Sequence, residues 1–274
     1  MKRLCVVGVG LIGGSIGLAV KARHLPYHVV GVEKDAATWG DALAVGAVDE
    51  ITNDLAAGVA GADLVILAVP VAAILKLLPQ LPAIVGEKTV VTDTGSVKSA
   101  IAAVGFAVLG ARFVPGHPMA GSEGGGVLAA RADLFRGATW AITTEPGKDN
   151  GVSAFVQSLG ATPHLLTPTA HDETVALTSH LPHVLAYALC NVATARHSTA
   201  TPTLSAGSWR DVTRVAESSP ELWAGIAAQN AAPLAQALRR VIAELDTAAT
   251  ALETGDAETV RDRFAAGHAA KVER

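Results

Sequence analysis

The sequence predicts an α/β N-terminal half, a doubly wound Rossmann-type parallel sheet, followed by an all-α C-terminal half. Three observations carry that prediction. Short β-branched runs alternate with helical patterns from Met1 to about Pro168, a glycine-rich turn follows the first run directly, and no convincing strand pattern appears after about Thr169. Strands alternating with helices pair in parallel because each crossover helix returns the chain to the same end of the sheet. The expected division is residues 1–168 and 169–274.

The expected strands are Leu4–Val9, Val29–Val32, Leu64–Val69, Thr89–Thr92, Arg112–Val114 and Trp140–Thr143, closed by a last strand near Thr162–Leu166. Gly160 introduces that last strand after a helix around Val152–Leu159. Beyond it, His171–Thr199 reads as one long helix with a broad apolar face, bent at Pro182. Ser219-Pro220-Glu221 reads as a helix start: Ser caps, Pro fits the first turn and the acid meets the positive helix end. Gly255-Asp256 ends one helix and begins another. A broad apolar face on a helical domain is often covered by a second copy, so a homodimer is expected.

Composition narrows the function classes. The 274 residues are 50% hydrophobic and 4% aromatic, so the cores rest mainly on Ala, Val, Leu and Ile. A formal charge of −4, with lysines and arginines scattered, argues against a nucleic-acid partner. Cys5 and Cys190 show no metal or redox spacing and read as buried thiols of a reducing compartment. Met1-Lys2-Arg3 and the apolar run after it imitate a signal peptide, but five glycines interrupt the run and it ends in Lys21-Ala22-Arg23. The apolar stretch from Leu55 to Val85 carries Asp63, Lys76 and three prolines, so no membrane span is expected. The expected location is cytoplasmic.

Gly8-Val9-Gly10-Leu11-Ile12-Gly13 follows a strand and opens a helix. In that context the first glycine permits the turn, the second lets the backbone approach a pyrophosphate, and the third lets helix and strand pack closely. The phosphates then meet unpaired N–H groups at the positive helix end. Glu33 ends the second strand about twenty residues later, where an acid accepts from ribose hydroxyls. A carboxylate there repels a 2′-phosphate and favours NAD; the adjacent Lys34 leaves NADP open. Val69-Pro70, ending the next long strand, is expected to skirt the cofactor.

Asp93-Thr94-Gly95-Ser96-Val97-Lys98 leads from a strand into a helix, where Ser96 is either the N-cap or a site residue. His117, held between Gly116 and Pro118 after a strand, stands where such sheets bind ligands; alone, it competes with a histidine that serves only the fold.

These segments occur in one chain together with Ser179-His180-Leu181-Pro182-His183 and Asp211-Val212-Thr213-Arg214. In this order, from residue 4 to about residue 230, they resemble the prephenate/arogenate (cyclohexadienyl) dehydrogenase family of tyrosine biosynthesis. The resemblance implies loss of hydride from C4 of a cyclohexadienol to NAD, with release of CO₂ as the ring becomes aromatic. It gives residues 1–168 the dinucleotide and residues 169–274 the substrate and dimerisation roles.

By the same resemblance His117 takes the proton of the C4 hydroxyl, a task suited to a side chain with an ordinary pKa near 6.5. Ser96 hydrogen-bonds near both His117 and the nicotinamide. Arg214 grips a substrate carboxylate, where a planar guanidinium makes bidentate contacts. His183 lines the substrate side-chain pocket, and Gly207 and Trp223 fall near the substrate. Asp211 and Glu123 are expected to form an ion network with Arg214. His180 and His183 stand one helical turn apart, but no third ligand completes a metal set and the resemblance implies none. Neither a fused mutase nor a regulatory domain is read in the chain, so tyrosine feedback through a separate domain is not expected.

Two rivals share parts of this pattern. A β-hydroxyacid dehydrogenase or imine reductase has the same two-domain layout but typically places a lysine or another acid on the interdomain helix, where this chain has His171-Asp172-Glu173. A non-catalytic nucleotide sensor would not need Ser96, His117 and Arg214 together. The choice between a pyruvyl side chain (prephenate) and an alanyl one (arogenate) is not legible.

Overall fold

A computed structural model describes residues 1–122, 124–145, 147–195 and 205–273. Six strands form a parallel sheet: β1 (Lys2–Val7), β2 (Tyr27–Val32), β3 (Glu50–Thr52), β4 (Leu64–Leu67), β5 (Val90–Asp93) and β6 (Phe113–Val114). Their order is β3-β2-β1-β4-β5-β6, the doubly wound arrangement. The three-residue β3 escapes the sequence reading because it is too short to show a period.

Residue alternation explains how the sheet is covered on both faces. Leu4 and Val6 of β1 join one buried cluster with Ile66 and with Ile16, Ala19 and Val20 of α1 (Leu11–Ala22). Cys5 and Val7 point the other way, into a second cluster with Leu67, with Ile74 of α4 (Val71–Leu77) and with Ile101 of α5 (Ser99–Leu109). Each of the Val, Leu and Ile side chains among them contributes roughly 1.5–3 kcal/mol on burial. The Cys5 thiol, enclosed here, is pushed up to about 12 by burial, which makes it an inert core residue. Cys190 is only half-buried, against the expectation that both thiols are enclosed.

The single sheet expected from the strand runs is corrected in one respect. β7 (Gly116–Pro118), β8 (Thr139–Ile142) and β9 (Thr162–Leu165) form a separate three-stranded sheet. In it β7 pairs antiparallel with β8, and β8 pairs parallel with β9. The chain changes sheets at Pro115, which has no N–H to donate to a ladder; its carbonyl accepts from the N–H of Thr143, just after β8, at 2.9 Å. His117 thereby sits in a strand whose register partner is Ala141.

The C-terminal half is helical among the described residues. α7 (Pro168–Val175) begins at Thr167, whose hydroxyl accepts from Ala170 N–H at 3.1 Å. It runs through a π-helical turn over Ala176–His180 into α8 (Leu181–Ala195), which accommodates Pro182 in its first turn. Residues 196–199 of the expected helix lie outside the described residues. α9 (Gly207–Thr213), α10 (Pro220–Gln229), α11 (Ala231–Thr254) and α12 (Ala257–Val272) follow. Ser219 caps α10 and Asp256 caps α12 through their side chains, and Gly255 between the last two helices is left-handed at φ +72°. Among the described residues no helix is long and apolar enough to cross a membrane.

Candidate active site

The glycine-rich turn lies where the strand order reverses, between the C-terminal ends of β1 and β4. Gly8 has φ +92°, and a Cβ on it would lie 2.5 Å from both the Ala68 carbonyl oxygen and Val69 Cγ1. A Cβ on Gly13 would lie 2.0 Å from the Gly8 carbonyl oxygen, so that residue allows α1 to rest on the strand. Gly10 differs: nothing lies within 4 Å of its would-be Cβ, and the space in front of it is open. No side chain caps α1 at Gly10 and no acid stands in its first turn, so the N–H groups of Leu11, Ile12 and Gly13 face the positive helix end without an intrahelical partner.

Glu33 follows β2, and its carboxylate is tied beside this turn. Oε2 accepts from Val9 N–H at 3.0 Å and Oε1 from Asp35 N–H at 3.2 Å. Lys34 beside it is exposed. Val69 touches the turn at Gly8, and Pro70 starts α4. The donor set at the helix start and the fixed acid at the next strand end suit a pyrophosphate and a ribose.

The chemistry-bearing side chains gather around a buried ion pair. Lys98 and Asp93 are fully enclosed, with the Lys98 ammonium against Asp93 Oδ2 and donating to the Gly116 carbonyl at 2.7 Å. Asp93 also accepts from Gly95 N–H at 2.8 Å and from Gly116 N–H at 3.1 Å. Burial pushes the Asp93 carboxyl up and the Lys98 ammonium down, and each is drawn back toward its charged form by the other. This clamp ties the end of β5 to the first residue of β7 and so fixes where His117 emerges.

Ser96 is half-buried in the β5–α5 connection but is not the helix cap. α5 begins at Ser99, and its first N–H groups are capped from the other half of the chain. Asp172 of α7 accepts from Lys98 N–H through Oδ1 at 2.7 Å and from Ser99 N–H through Oδ2 at 2.8 Å. Those bonds, together with its bond to His171, hold the Asp172 carboxyl below the usual range although burial opposes this.

His117 Nδ1 lies 2.9 Å from His171 Nε2, and His171 Nδ1 lies 2.8 Å from Asp172 Oδ1. Burial, with lesser contributions from His171, Lys98 and His180, pushes the pKa of His117 well below 6.5, so the ring is neutral at neutral pH. Asn230 donates through Nδ2 to the Asp172 carbonyl at 2.8 Å and to His180 Nδ1 at 3.1 Å. His180, buried and accepting on Nδ1, is pushed down to about 4, mainly by burial.

A second group joins the first through Trp223. His180 meets the indole edge-on at 6.0 Å between ring centroids, and His183 stacks on it at 3.3 Å and 20°. His183 Nδ1 donates to the Ser179 carbonyl at 2.9 Å. Burial and the charge of Arg214 push His183 down, with the Ser179 carbonyl opposing them. Arg214 is exposed, at the end of the α9 helix that Gly207 opens. His183, Trp223 and Arg214 are thus brought together. Asp211 is exposed on α9, and the network expected among Asp211, Glu123 and Arg214 is not described because Glu123 lies outside the described residues.

Sequence reasoning passed over the Asp93–Lys98 clamp and Asn230, and used His171-Asp172 only to set aside the rival families. The adjacent His-Asp in the first turns of the interdomain helix was the available signal, but its partners are 54 and 74 positions away. Among the described residues no group of three or more His, Cys, Asp or Glu could hold a metal ion.

Comparison with known proteins identifies the family. The model of the prephenate dehydrogenase nucleotide-binding domain matches residues 16–161, and that of the prephenate dehydrogenase dimerization domain matches residues 167–266. The chain is 34% identical over 279 residues to a cyclohexadienyl dehydrogenase of Zymomonas mobilis, covering 99% of this chain and 95% of the relative. A crystal structure of prephenate dehydrogenase from Aquifex aeolicus, in complex with hydroxyphenyl propionate and NAD+, superposes with a TM-score of 0.91 at 26% identity. That alignment covers 100% of this chain and 98% of the other. A Synechocystis arogenate dehydrogenase gives a TM-score of 0.83 at 28% identity, covering 99% of each chain. With both halves matched in order and the whole chain superposed, the protein belongs to the prephenate dehydrogenase family.

Proposed function

We propose that the chain is a cytoplasmic, homodimeric enzyme that oxidatively decarboxylates prephenate to 4-hydroxyphenylpyruvate, or arogenate to tyrosine, with NAD as hydride acceptor. Residues 1–168 hold the dinucleotide, and residues 169–274 hold substrate and form the dimer. The observation that carries the reading is a neutral, half-buried His117, clamped at Gly116 and joined by a hydrogen bond to His171 of the helical half. A neutral histidine held beside the C-terminal end of β5 can act as a base for a substrate hydroxyl.

Gly8, Gly10, Leu11, Ile12 and Gly13 receive the pyrophosphate on backbone N–H groups, Glu33 accepts from the ribose, and Val69 and Pro70 border the site. When bound, the nicotinamide supplies the two-electron acceptor. His117 accepts the C4 hydroxyl's hydrogen bond and holds its proton as the carbon–oxygen bond gains carbonyl character. Ser96 orients the reacting groups from the β5–α5 loop. Arg214 binds a substrate carboxylate, while His183 and Trp223, stacked on each other, flank the side chain and Gly207 leaves room beside it. The dimer is supported by apolar side chains that one copy leaves exposed, among them Ile242, Leu245, Leu252 and Phe264.

Steady-state kinetics with prephenate and arogenate, each with NAD and NADP, tests the reading. Turnover of at least one substrate with NAD is expected. Failure with both, alongside turnover of a 3-hydroxy acid, would overturn it. A higher kcat/KM with NADP than with NAD would remove Glu33 from its role as ribose acceptor. A monomer at micromolar concentration by sedimentation would remove the dimer.

A further inference from the structure

We propose that His171 and Asp172 are positioning residues that fix His117 as the tautomer protonated on Nδ1, leaving Nε2 as its lone-pair acceptor. The catalytic meaning of this rests on the proposed reaction; the tautomer itself does not. The argument starts at Asp172, whose ionised carboxylate only accepts hydrogen bonds. Its two oxygens are held by the Lys98 and Ser99 N–H groups at the positive end of α5, so its position is set by the other half of the chain. The nitrogen facing that carboxylate at 2.8 Å, His171 Nδ1, must therefore carry a proton.

With that proton as its only ring proton, His171 has its lone pair on Nε2, and this is the atom 2.9 Å from His117 Nδ1. Two lone pairs facing each other at that distance repel, so His117 donates and its own Nδ1 bears the proton. Nε2 of His117 is left bare. The charged and titratable groups around the pair are Asp93 and Lys98 from the β5–α5 connection, Asp172 from α7 and His180 from the π turn. Lys98 opposes a cationic His117, whereas Asp172 lies behind His171 as the anion toward which positive charge is drawn when Nε2 takes a proton. A buried carboxylate that orients an imidazole in this way is a general device of hydrolytic triads; here a second imidazole stands between them.

The same contacts also dock α7 against α5, and a docking role alone would leave the His117 tautomer free. Long-range 1H–15N spectra of histidine-labelled protein separate the two, since they report which ring nitrogen carries hydrogen. The wild-type protein is expected to show His117 protonated on Nδ1. His171→Phe should move that proton to Nε2 and lower kcat by at least tenfold, with the Kd for NAD changed less than threefold. His171→Gln, whose side-chain carbonyl also accepts, should restore part of both.

A wild-type spectrum with His117 protonated on Nε2 overturns the proposal even if His171→Phe does not fold. So does an unchanged His117 tautomer in a folded His171→Phe. An Nδ1 proton on His117 in a protein that turns over neither prephenate nor arogenate would uphold the tautomer and overturn the proposed reaction instead.

Discussion

Between β1 and β9 the chain closes around two large buried clusters, and every face of the parallel sheet has its own helical cover. In the helical half the described buried cluster consists of Leu181, Leu234 and Ala237, with a few half-buried neighbours. There Val192, Ile242, Leu245, Leu252 and Phe264 stand in solvent in a single copy. The sheet half is thus a finished domain whose proposed dinucleotide site consists largely of backbone groups, as at Gly10 and the start of α1. The helical half is a scaffold that presents side chains toward the other half and keeps apolar surface for a partner. Under the proposed function the contrast teaches a division of labour: backbone geometry is offered to the dinucleotide, and side chains lent by the helical half are offered to the chemistry.

The largest expected effect breaks chemistry while sparing the sheet half's own site. His117→Asn can still hydrogen-bond a hydroxyl but cannot take its proton, so kcat should fall by about 10²–10⁴-fold. Titration of NAD against the variant should give a Kd near that of the wild type. A variant within about tenfold of wild-type turnover, with chemistry rate-limiting, would take His117 out of the proposed mechanism.

Arg214→Ala probes the helical side of the division. It should act mainly on KM, costing roughly 2–5 kcal/mol, in line with truncating one member of a desolvated charged contact. Arg214→Lys should recover only part, because an ammonium keeps the charge and loses the planar fork. Weakened NAD binding with a normal KM would place the substrate elsewhere. An equal fall in kcat and kcat/KM would assign the arginine to the transition state.

Two glycines of one helix separate folding from binding inside the sheet half. A Cβ on Gly17 would lie 1.8 Å from the Ala47 carbonyl oxygen, whereas a Cβ on Gly10 meets nothing. Gly17→Ala should therefore lower stability by about 1–3 kcal/mol, the usual cost of overpacking. Gly10→Ala should melt near wild type and bind NAD more weakly. Equal denaturation midpoints for the two variants would contradict the packing argument.

The smallest effect is an acid sensitivity centred on the helical half. His180 is held neutral in the fold, pushed down to about 4 from its ordinary 6.5. The unfolded chain therefore binds more protons in that interval, and stability rises with pH across it. The stabilisation is complete above about 6.5 and is lost as pH falls toward about 4. Denaturation midpoints measured at pH 7 and pH 5 should differ less in His180→Gln than in wild type; an unchanged difference would exclude His180 as a source.

Much of this was legible in the sequence because it depends on neighbours along the chain. The β-branched runs, the spacing of Gly8, Gly10 and Gly13, the acid at Glu33, the Ser219 cap and the Gly255-Asp256 break are all local devices. They act within a strand or a helical turn, and their period survives in one dimension. The sheet change at Pro115 was harder to see. Phe113-Val114 and Gly116-His117-Pro118 read as one strand and its trailing loop, but the chain pairs them with different sheets.

What only the tertiary structure decided is how distant side chains meet. Ser96 has the spacing of a helix cap, yet Asp172 does the capping, since a carboxylate from α7 reaches the first N–H groups of α5. Lys98 reads as a charged residue at a helix start and is instead enclosed against Asp93 and Gly116, because burial of the two charges is tolerated when they pair with each other and with backbone groups. The sequence alone determined the two-part fold, the dinucleotide turn and the candidate base His117. The assignment of His117's partner to His171 required the folded chain, since residues 54 apart in sequence have no one-dimensional signature of lying 2.9 Å apart.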